Sequence, residues 1–306
     1  MKSKLSLILL LSVYVSATDL TGYITVGTGY LSLKDNFLIN STNDNIASLN
    51  KKADSHNKYY VLPNVELKYG GYFVQGGEIG YSWKEDNKIY FVPKGYGVTQ
   101  KFGDIFSYSL EQSKEEAYAD VYAINSDKIV KNSKLTKLEI ETEKVFDVLD
   151  INYQLVKIQL DDVVNADTKQ SGINNVIELM YLLPNSTQLF KNKLGVVLGN
   201  GNYEGDSNDN ISYGLKYDMK LLYNAEHIYM FKVDYRKYNF DTQNSYFNTI
   251  RDEKSFGASL IYTKLNFMNH KKVFFNVIGF VKNTDSNIEF FKNSAQSIAF
   301  TLGYKF

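Results

Sequence analysis

The sequence contains no cysteine, three prolines, one tryptophan and three histidines among its 306 residues. Without cysteine, the chain has no disulfide to stabilise it. With no cysteine and so few histidines, we expect no transition-metal site and no other cofactor. The 34 basic and 34 acidic residues balance each other, which argues against a nucleic-acid-binding surface.

A long apolar run is also missing beyond the first residues. The stretch LSLILLLSVYV at 5–15 follows Lys2 and Lys4 and overlaps the small residues of VSA at 15–17. Because this run is shorter than the roughly 20 residues of a membrane-spanning helix, it predicts a removable secretory signal at Met1–Ala17. The mature chain, 18–306, is then expected to form one domain and to contact a membrane through strands alone.

The sequence is rich in tyrosine and phenylalanine, with 25 and 19 residues, and both types favour β-strands. Residues 297–306 alternate between large apolar side chains and small or polar ones, which is the period of a strand. Residues 211–223 and 229–236 show the same alternation. The apolar members of the final stretch are Ile298, Phe300, Leu302, Tyr304 and Phe306.

Short turn-forming links and longer polar links alternate along the chain, which predicts about 14 antiparallel strands from 22–33 to 294–306. An even strand number with short periplasmic turns and longer extracellular loops is typical of a transmembrane β-barrel. Because lipid cannot satisfy an open sheet edge, the last strand is predicted to pair with residues 22–31. The predicted short links are Gly70–Gly71, Gly103–Asp104, Phe146–Asp147, Asn185–Ser186, Asn224–Ala225 and Asn269–His270, and the long ones are 34–57, about 84–89, 113–132, 162–173, 203–209, 241–252 and 283–294.

A soluble β-sandwich or a lipocalin-like barrel would also alternate. Its apolar face would be a packed core, which would favour branched aliphatic residues over so many tyrosines. We therefore predict an all-β, antiparallel transmembrane barrel in the outer membrane of a Gram-negative bacterium. Its expected surroundings are outer-membrane lipid and lipopolysaccharide.

The final residues also resemble the C-terminal signature of outer-membrane proteins. That signature has a final phenylalanine, here Phe306, an aromatic residue two positions earlier, here Tyr304, and alternating apolar residues before it, here Phe300 and Leu302. The resemblance implies recognition by the barrel-assembly machinery.

Two longer stretches resemble one particular family. The stretches VLPNVELKY at 61–69 and TDSNIEFFKNSAQSIAFTLGYKF at 284–306 are similar to those of a bacterial outer-membrane family described as domain of unknown function 2860. The resemblance implies an outer-membrane barrel. It offers no established activity, so no functional residue is carried over.

The histidines do not predict a catalytic site. His227 and His270 fall beside predicted periplasmic turns, and His56 falls in the first outer loop. A catalytic pair needs a hydrogen-bonded partner and a third group that orients it. We therefore expect no enzyme activity.

With the apolar side chains outward, charged side chains are predicted to line the lumen in two opposed rows. Such rows would set a transverse field across a water-filled opening, with Glu139, Glu141, Lys216, Lys232 and Arg236 tuning its selectivity. Charges that pair with one another and fill the interior are the alternative. The mainly acidic row comprises Lys137, Glu139, Glu141, Glu143, Asp150 and Glu178, and the row richer in cations comprises Lys216, Asp218, Lys220, Lys232, Asp234, Arg236 and Lys305.

Two functions follow from this pattern. The leading hypothesis is a passive channel for small hydrophilic solutes, since about 14 strands lie between barrels filled by side chains and barrels that leave a channel. The other is a non-conducting structural or surface-binding barrel. In that case, the outer loops 34–57 and 113–132 would meet a partner or the lipopolysaccharide layer.

Overall fold

A computed structural model describes most of the chain: residues 21–37, 39, 45–61, 63–69, 72–75, 79–82, 88–91, 95–102, 106–161 and 164–306. The predicted signal at 1–17 lies outside these residues. So do the predicted links Gly70–Gly71 and Gly103–Asp104, and most of the predicted link at 84–89.

The described residues form one all-β sheet whose neighbouring strands are antiparallel. The strands are β1 Thr21–Lys34, β2 His56–Val61, β3 Asn64–Tyr69, β4 Tyr72–Gln75, β5 Ile79–Ser82, β6 Lys88–Phe91, β7 Gly95–Phe102, β8 Phe106–Tyr118, β9 Val130–Val145, β10 Leu149–Gln159, β11 Gly172–Leu182, β12 Phe190–Tyr203, β13 Asn210–Tyr223, β14 His227–Asn244, β15 Thr249–Lys264, β16 Val273–Ser286 and β17 Asn293–Lys305.

These 17 segments make a barrel of 14 strands, because three pairs of segments are each two parts of one interrupted strand. β2 and β3 both pair with β1. In the next strand, β5 pairs with β2 and β4 pairs with β3. In the strand after that, β6 pairs with β5 and β7 pairs with β4. Pro63 stands directly before β3, where it has no N–H to donate to the ladder. The predicted strand number is therefore confirmed.

The barrel closes between its first and last strands, as predicted. β1 pairs with β17 from Tyr23 opposite Lys305 to Lys34 opposite Ser294. Beyond that ladder, the backbone N–H of Phe306 donates to the carbonyl of Gly22 at 3.2 Å. Residues 297–306 therefore form part of the closing strand, and no open edge is left at this seam.

The two faces of the sheet differ as the alternation predicted. On β13, Leu215 points outward and its side chain is 58 % exposed, whereas Ser212 points inward and is 4 % exposed. On β17, Phe300 and Leu302 are exposed on the outer face, and Thr301 between them is buried on the inner face. The outer surface is thus a band of large apolar side chains suited to lipid.

The links fit the prediction in position but not always in length. Asn224 and Ala225 both have positive φ, which matches the two-residue hairpin turn predicted there. By contrast, the predicted long link at 241–252 is wrong: β14 and β15 continue to either side of residues 245–248. Polar sequence did not end these strands, because a strand that extends beyond the lipid needs no apolar face.

Helices contribute little to the described residues, which contain single turns of 3₁₀-helix at Ala166–Thr168, Asp206–Asn208, Phe267–Asn269 and Glu289–Phe291. None of the described helices has the length and apolar character needed to span a bilayer.

Candidate functional site

The five lumen residues predicted from the sequence all belong to the inward face of the barrel. Register shows this, because residues directly opposite on neighbouring strands share a face. Glu139 and Glu141 on β9 stand opposite Gln154 and Asn152 on β10. On the far side of the same arc, Lys216 on β13 stands opposite Asp234 on β14. Lys232, Asp234 and Arg236 follow one another at intervals of two residues along β14, so all three lie on the same face.

Glu178 on β11 is the centre of a three-residue ionic cluster in the lumen. The Nζ of Lys216 donates to its Oε2 at 2.6 Å, and Nη2 of Arg236 donates to its Oε1 at 3.2 Å. The Glu178 side chain is 15 % exposed, so both contacts are shielded from bulk water. The two charged rows therefore meet at Glu178, and they do not face each other across the opening.

Small side chains on the intervening strands allow this contact. Glu178, Val197, Gly214 and Arg236 follow one another across four adjacent strands. A Cβ at Gly214 would stand only 2.9 Å from Cγ of Arg236. The glycine therefore leaves space for the arginine side chain to cross the sheet. Val197, beneath the ion pair, is fully buried. Sequence reasoning placed Glu178 in the lumen but missed its central role, since no local pattern reports a contact across two strands.

The acidic row on β9 is also compensated. Glu139 lies 2.8 Å from the Nζ of Lys137 and accepts a hydrogen bond of 3.1 Å from Nδ2 of Asn152. The same amide donates to Glu141 at 3.3 Å, and the Ser107 hydroxyl donates to Glu141 at 3.5 Å. Asn152 thus contacts two neighbouring carboxylates on the lumen wall, of which Glu141 is the more exposed.

The periplasmic half of the lumen carries the more exposed cations. Lys232 lies 4.0 Å from Asp218, and its side chain is 51 % exposed. Lys191 on β12 stands directly opposite Lys220 on β13, and both are exposed. These two lysines make this part of the wall positive, and two like charges in this position repel each other.

At the extracellular end, side chains from five links pack together; we call this cluster the cap. Its buried members are Tyr118, Val121, Tyr122, Ile288, Phe290 and Phe291, and Phe37, Ile39, Ile46, Leu49, Val164, Tyr246 and Phe247 pack against them. The rings of Tyr122 and Tyr246 stack with centroids 4.1 Å apart, and those of Tyr122 and Phe290 stack at 5.3 Å. Phe290 is 1 % exposed.

The cap extends across the mouth of the barrel. Tyr122 lies between β8 and β9, and Phe290 lies between β16 and β17, which are on nearly opposite sides of the closed sheet. Polar contacts bind the same links: Nδ2 of Asn36 donates to the carbonyl of Phe290 at 2.9 Å, and Nζ of Lys128 donates to that of Asn36 at 3.1 Å. The predicted loops 34–57 and 113–132 therefore pack against each other in the cap.

Arg251 on β15 joins the cap to the lumen wall. Its guanidinium carbon lies 3.8 Å from the ring centroid of Phe240 and 4.3 Å from that of Phe291, so the cation is held between two aromatic faces. Its Nη2 donates to Oδ1 of Asn208 at 3.2 Å. Removing this cation would leave Phe291 without its partner on the barrel wall.

The cap also shields ionisable groups in the outer links. Burial raises the pKa of the Tyr122 hydroxyl to about 12, and it raises the pKa of the Asp35 carboxyl above its usual range. Asn244 and Arg251 favour the ionised form of Tyr122, while Tyr246 opposes it. The packed cap therefore favours the protonated form of Tyr122.

The histidines lie apart from one another. Nδ1 of His227 is 2.9 Å from the Tyr262 hydroxyl, and its Nε2 is 3.3 Å from Nζ of Lys264, at the periplasmic rim. His270 lies in the link before β16, as expected, whereas His56 is the first residue of β2 and not part of the loop. Among the residues that the structure describes, no three His, Cys, Asp or Glu side chains form a group that could hold a metal ion.

Solved structures with a similar fold are outer-membrane proteins. The monoaromatic hydrocarbon channel CymD matches with a TM-score of 0.47 and 8 % identity, over 94 % of this chain and 88 % of its own. OprD of Pseudomonas aeruginosa matches with 0.43 and 9 % identity, over 94 % and 95 %. A loop-deletion variant of OmpT of Vibrio cholerae matches with 0.44 and 10 % identity, over 94 % and 100 %. Similarity at this level does not extend the activities of those proteins to this chain.

No curated protein matches the chain at a significant level. A family model does: it is described as "Protein of unknown function (DUF2860)" and it matches residues 20–305. This range spans the barrel from its first strand to its last, and it includes both stretches in which the sequence resembles that family. The chain therefore belongs to the DUF2860 family of outer-membrane β-barrel proteins.

Proposed function

We propose that this protein is an outer-membrane channel for small hydrophilic solutes. The observation that carries the proposal is the charged inner face of β9 to β14, on which Glu141 and Lys232 are substantially exposed to the interior. A barrel with a filled interior would bury its inward charges in ion pairs or replace them with apolar side chains. Exposed charges on both sides of the Glu178 cluster instead favour water along the barrel axis.

In this function, the more buried charges and the more exposed charges have different roles. Lys216 and Arg236, held by Glu178, fix the shape of the lumen at that level, and Glu139 is held in the same way by Lys137 and Asn152. Lys232 and Glu141 are freer to meet a passing solute. Selectivity then depends on the more exposed members of the predicted set, while the others keep the wall in place.

The cap gives the channel a closed outer end. Its aromatic side chains come from links on nearly opposite sides of the barrel, so a solute enters from outside only when these links separate. Links are the parts of a barrel that move most easily, because their backbones are not part of the sheet ladder. We therefore propose brief openings from a resting state in which the cap is packed.

The route to the membrane is part of the same proposal. Residues 1–17 direct export and are removed, and the barrel-assembly machinery recognises Phe300, Leu302, Tyr304 and Phe306 on the closing strand. The outward exposure of these four side chains is compatible with such recognition. The barrel then functions as a solute channel and not as an enzyme.

Planar lipid bilayers provide the test. The purified, folded barrel should produce discrete conductance steps in potassium chloride, separated by long closed periods. Folding is verified independently by the change in electrophoretic mobility between unheated and heated samples. A correctly folded barrel that stays silent at all voltages would refute the proposal.

A second function is favoured by one observation, the extent of the cap. If the cap never opens, the protein is a non-conducting barrel that presents its outer links to a partner. Replacing residues 119–129 with a short glycine-serine link distinguishes the two functions. The channel proposal expects more frequent openings in that variant, whereas a non-conducting barrel with a filled lumen would stay silent.

A further inference from the structure

Three lysines on the outer surface of the barrel form a patch that neither the lumen nor the cap explains. Lys114 on β8 stands directly opposite Lys134 on β9, and Lys157 on β10 lies one row below, opposite Thr136. All three are exposed. We call Lys114, Lys134 and Lys157 the outer lysine patch.

The alternation along each strand places the patch on the membrane side of the sheet. On β8, Lys114 shares its parity with the exposed Leu110. On β9, Lys134 has the opposite parity to Glu139, which contacts Asn152 on the inner face. A residue in a strand cannot change face without a shift of register, and the ladder between β8 and β9 runs without one.

The patch lies near the outer edge of the apolar band. A tilted strand gains about 2.5 Å of height per residue, so Lys114 stands about 20 Å above Phe106 at the periplasmic end of β8. The apolar band of such barrels is about 25 Å tall. The three ammonium groups therefore reach the level at which hydrocarbon gives way to lipid head groups.

This arrangement is unfavourable without a further anion, because Glu116, two residues beyond Lys114 on the same outer face, stands opposite Asn132 and not opposite a lysine of the patch. Directly opposed like charges destabilise a sheet, and a boundary with hydrocarbon screens them less than water does. Among the described residues, no carboxylate forms an ion pair with Lys114, Lys134 or Lys157. The nearby lysine Lys131 does have one, since it pairs with Asp161 at 3.1 Å.

We propose that the outer lysine patch binds the phosphate groups of an outer-leaflet glycolipid, that is, of lipopolysaccharide. This lipid carries its phosphates at the head-group level that the patch reaches. Three lysines on adjacent strands match a doubly phosphorylated head group better than a single monovalent anion. The inference depends on the barrel lying in the outer membrane but not on the proposed conductance, and its test involves no current.

The chain contains a matched control pair. Lys191 and Lys220 are also directly opposed and exposed, but they lie on the inner face near the periplasmic end. Replacing them removes lysine charge from the same kind of cross-strand pair without touching the membrane surface. A nonspecific charge effect would be the same for both sets of lysines, whereas a lipid site would not.

The test measures binding of fluorescent lipid A to the full-length mature barrel in a zwitterionic detergent. The variant K114Q/K134Q/K157Q should bind at least tenfold more weakly than the unaltered protein, since each lysine near an anionic surface contributes about a fivefold effect. The variant K191Q/K220Q should bind normally. Lipid A stripped of both phosphates should bind weakly to all three proteins. Retention of the electrophoretic shift on heating confirms that each variant is folded.

Other outcomes would overturn the inference. Equal binding by the patch variant and the unaltered protein would exclude the patch as the site, as would equal losses in both variants. Binding that does not depend on the lipid phosphates would exclude the proposed chemistry. If millimolar inorganic phosphate displaced lipid A completely, the patch would be a site for soluble anions and not for a glycolipid.

Discussion

Arg236 reaches Glu178 across two intervening strands of the barrel. Nη2 of the arginine and Oε1 of the glutamate lie 3.2 Å apart, and Lys216 shares the same carboxylate at 2.6 Å. One acidic side chain thus balances two cations on the lumen wall. Removing that acid should change the field in the proposed channel more than removing any charge at the rim, because the two cations would lose their shared partner.

The substitution Glu178→Gln is therefore predicted to shift the channel toward anions. It keeps the shape of the side chain and removes its charge, which leaves Lys216 and Arg236 to attract anions from solution. The reversal potential in a potassium chloride gradient should move toward the chloride potential. Glu116→Gln is the control, since Glu116 is exposed on the outer face of β8 and should not affect selectivity. An unchanged reversal potential in the Glu178 variant would show that ions do not pass this cluster.

The outward apolar face is tested by adding a charge to each side of the sheet. Leu215→Lys places an ammonium group in the lipid and should cost about 2–4 kcal/mol of unfolding free energy near the bilayer midplane. Gln154→Lys places the same group on the inner face opposite Glu139 and should cost far less. Thr301 is a poorer inner control, because it is buried and accepts a hydrogen bond from Asn276 at 3.0 Å. Denaturant unfolding in lipid vesicles measures both values, and similar costs would contradict the assignment of faces.

The cap should respond to alkaline pH through Tyr122. Its pKa in the folded state, about 12, lies above the ordinary value of 10.0, so the folded cap favours the protonated hydroxyl. Stability from this group is complete below pH 10 and is lost as the pH rises toward 12, on the order of 2–3 kcal/mol. The open probability in bilayers should therefore rise between pH 10 and 12.

Tyr122→Phe should reduce that alkaline rise, because phenylalanine keeps the stacked ring and has no proton to lose. Some rise should remain, since burial also raises the pKa of Tyr246 in the cap. Tyr213→Phe, on the outer face of β13, is the matched control and should behave like the unaltered protein. The role given to Tyr122 would be excluded if both substitutions left the pH response unchanged.

The barrel could be predicted from the sequence because the pattern that specifies it, the alternation of side chains along each strand, is local and repeated. Ile211, Tyr213 and Leu215 alternate with inward residues, and that alternation needs no knowledge of distant contacts to be recognised. The pairing of β1 with β17 followed from the same pattern, since a sheet in lipid has no tolerated edge. Strand ends were predicted less well, as at β14, because outside the lipid a polar sequence can continue the ladder.

The ionic cluster and the cap could not be predicted, because both depend on contacts between distant residues. Glu178 and Arg236 come together only when register and the absence of a side chain at Gly214 are known. Phe37, Tyr122 and Phe290 lie in links that look merely polar or irregular in sequence, and only the closed sheet brings them together. An excess of aromatic residues in outer links was the one available signal.

A redox lock across the mouth tests the central claim most directly. Ile46 and Ile124 form an isolated parallel bridge between the first link and the link after β8, and the chain has no native cysteine. In the variant I46C/I124C, bridge partners are close enough for a disulfide. Single-channel recording should show few openings after oxidation and normal openings after reduction, while I124C alone should not respond. Equal conductance in the oxidised and reduced states, or silence in both, would contradict a channel closed by its cap.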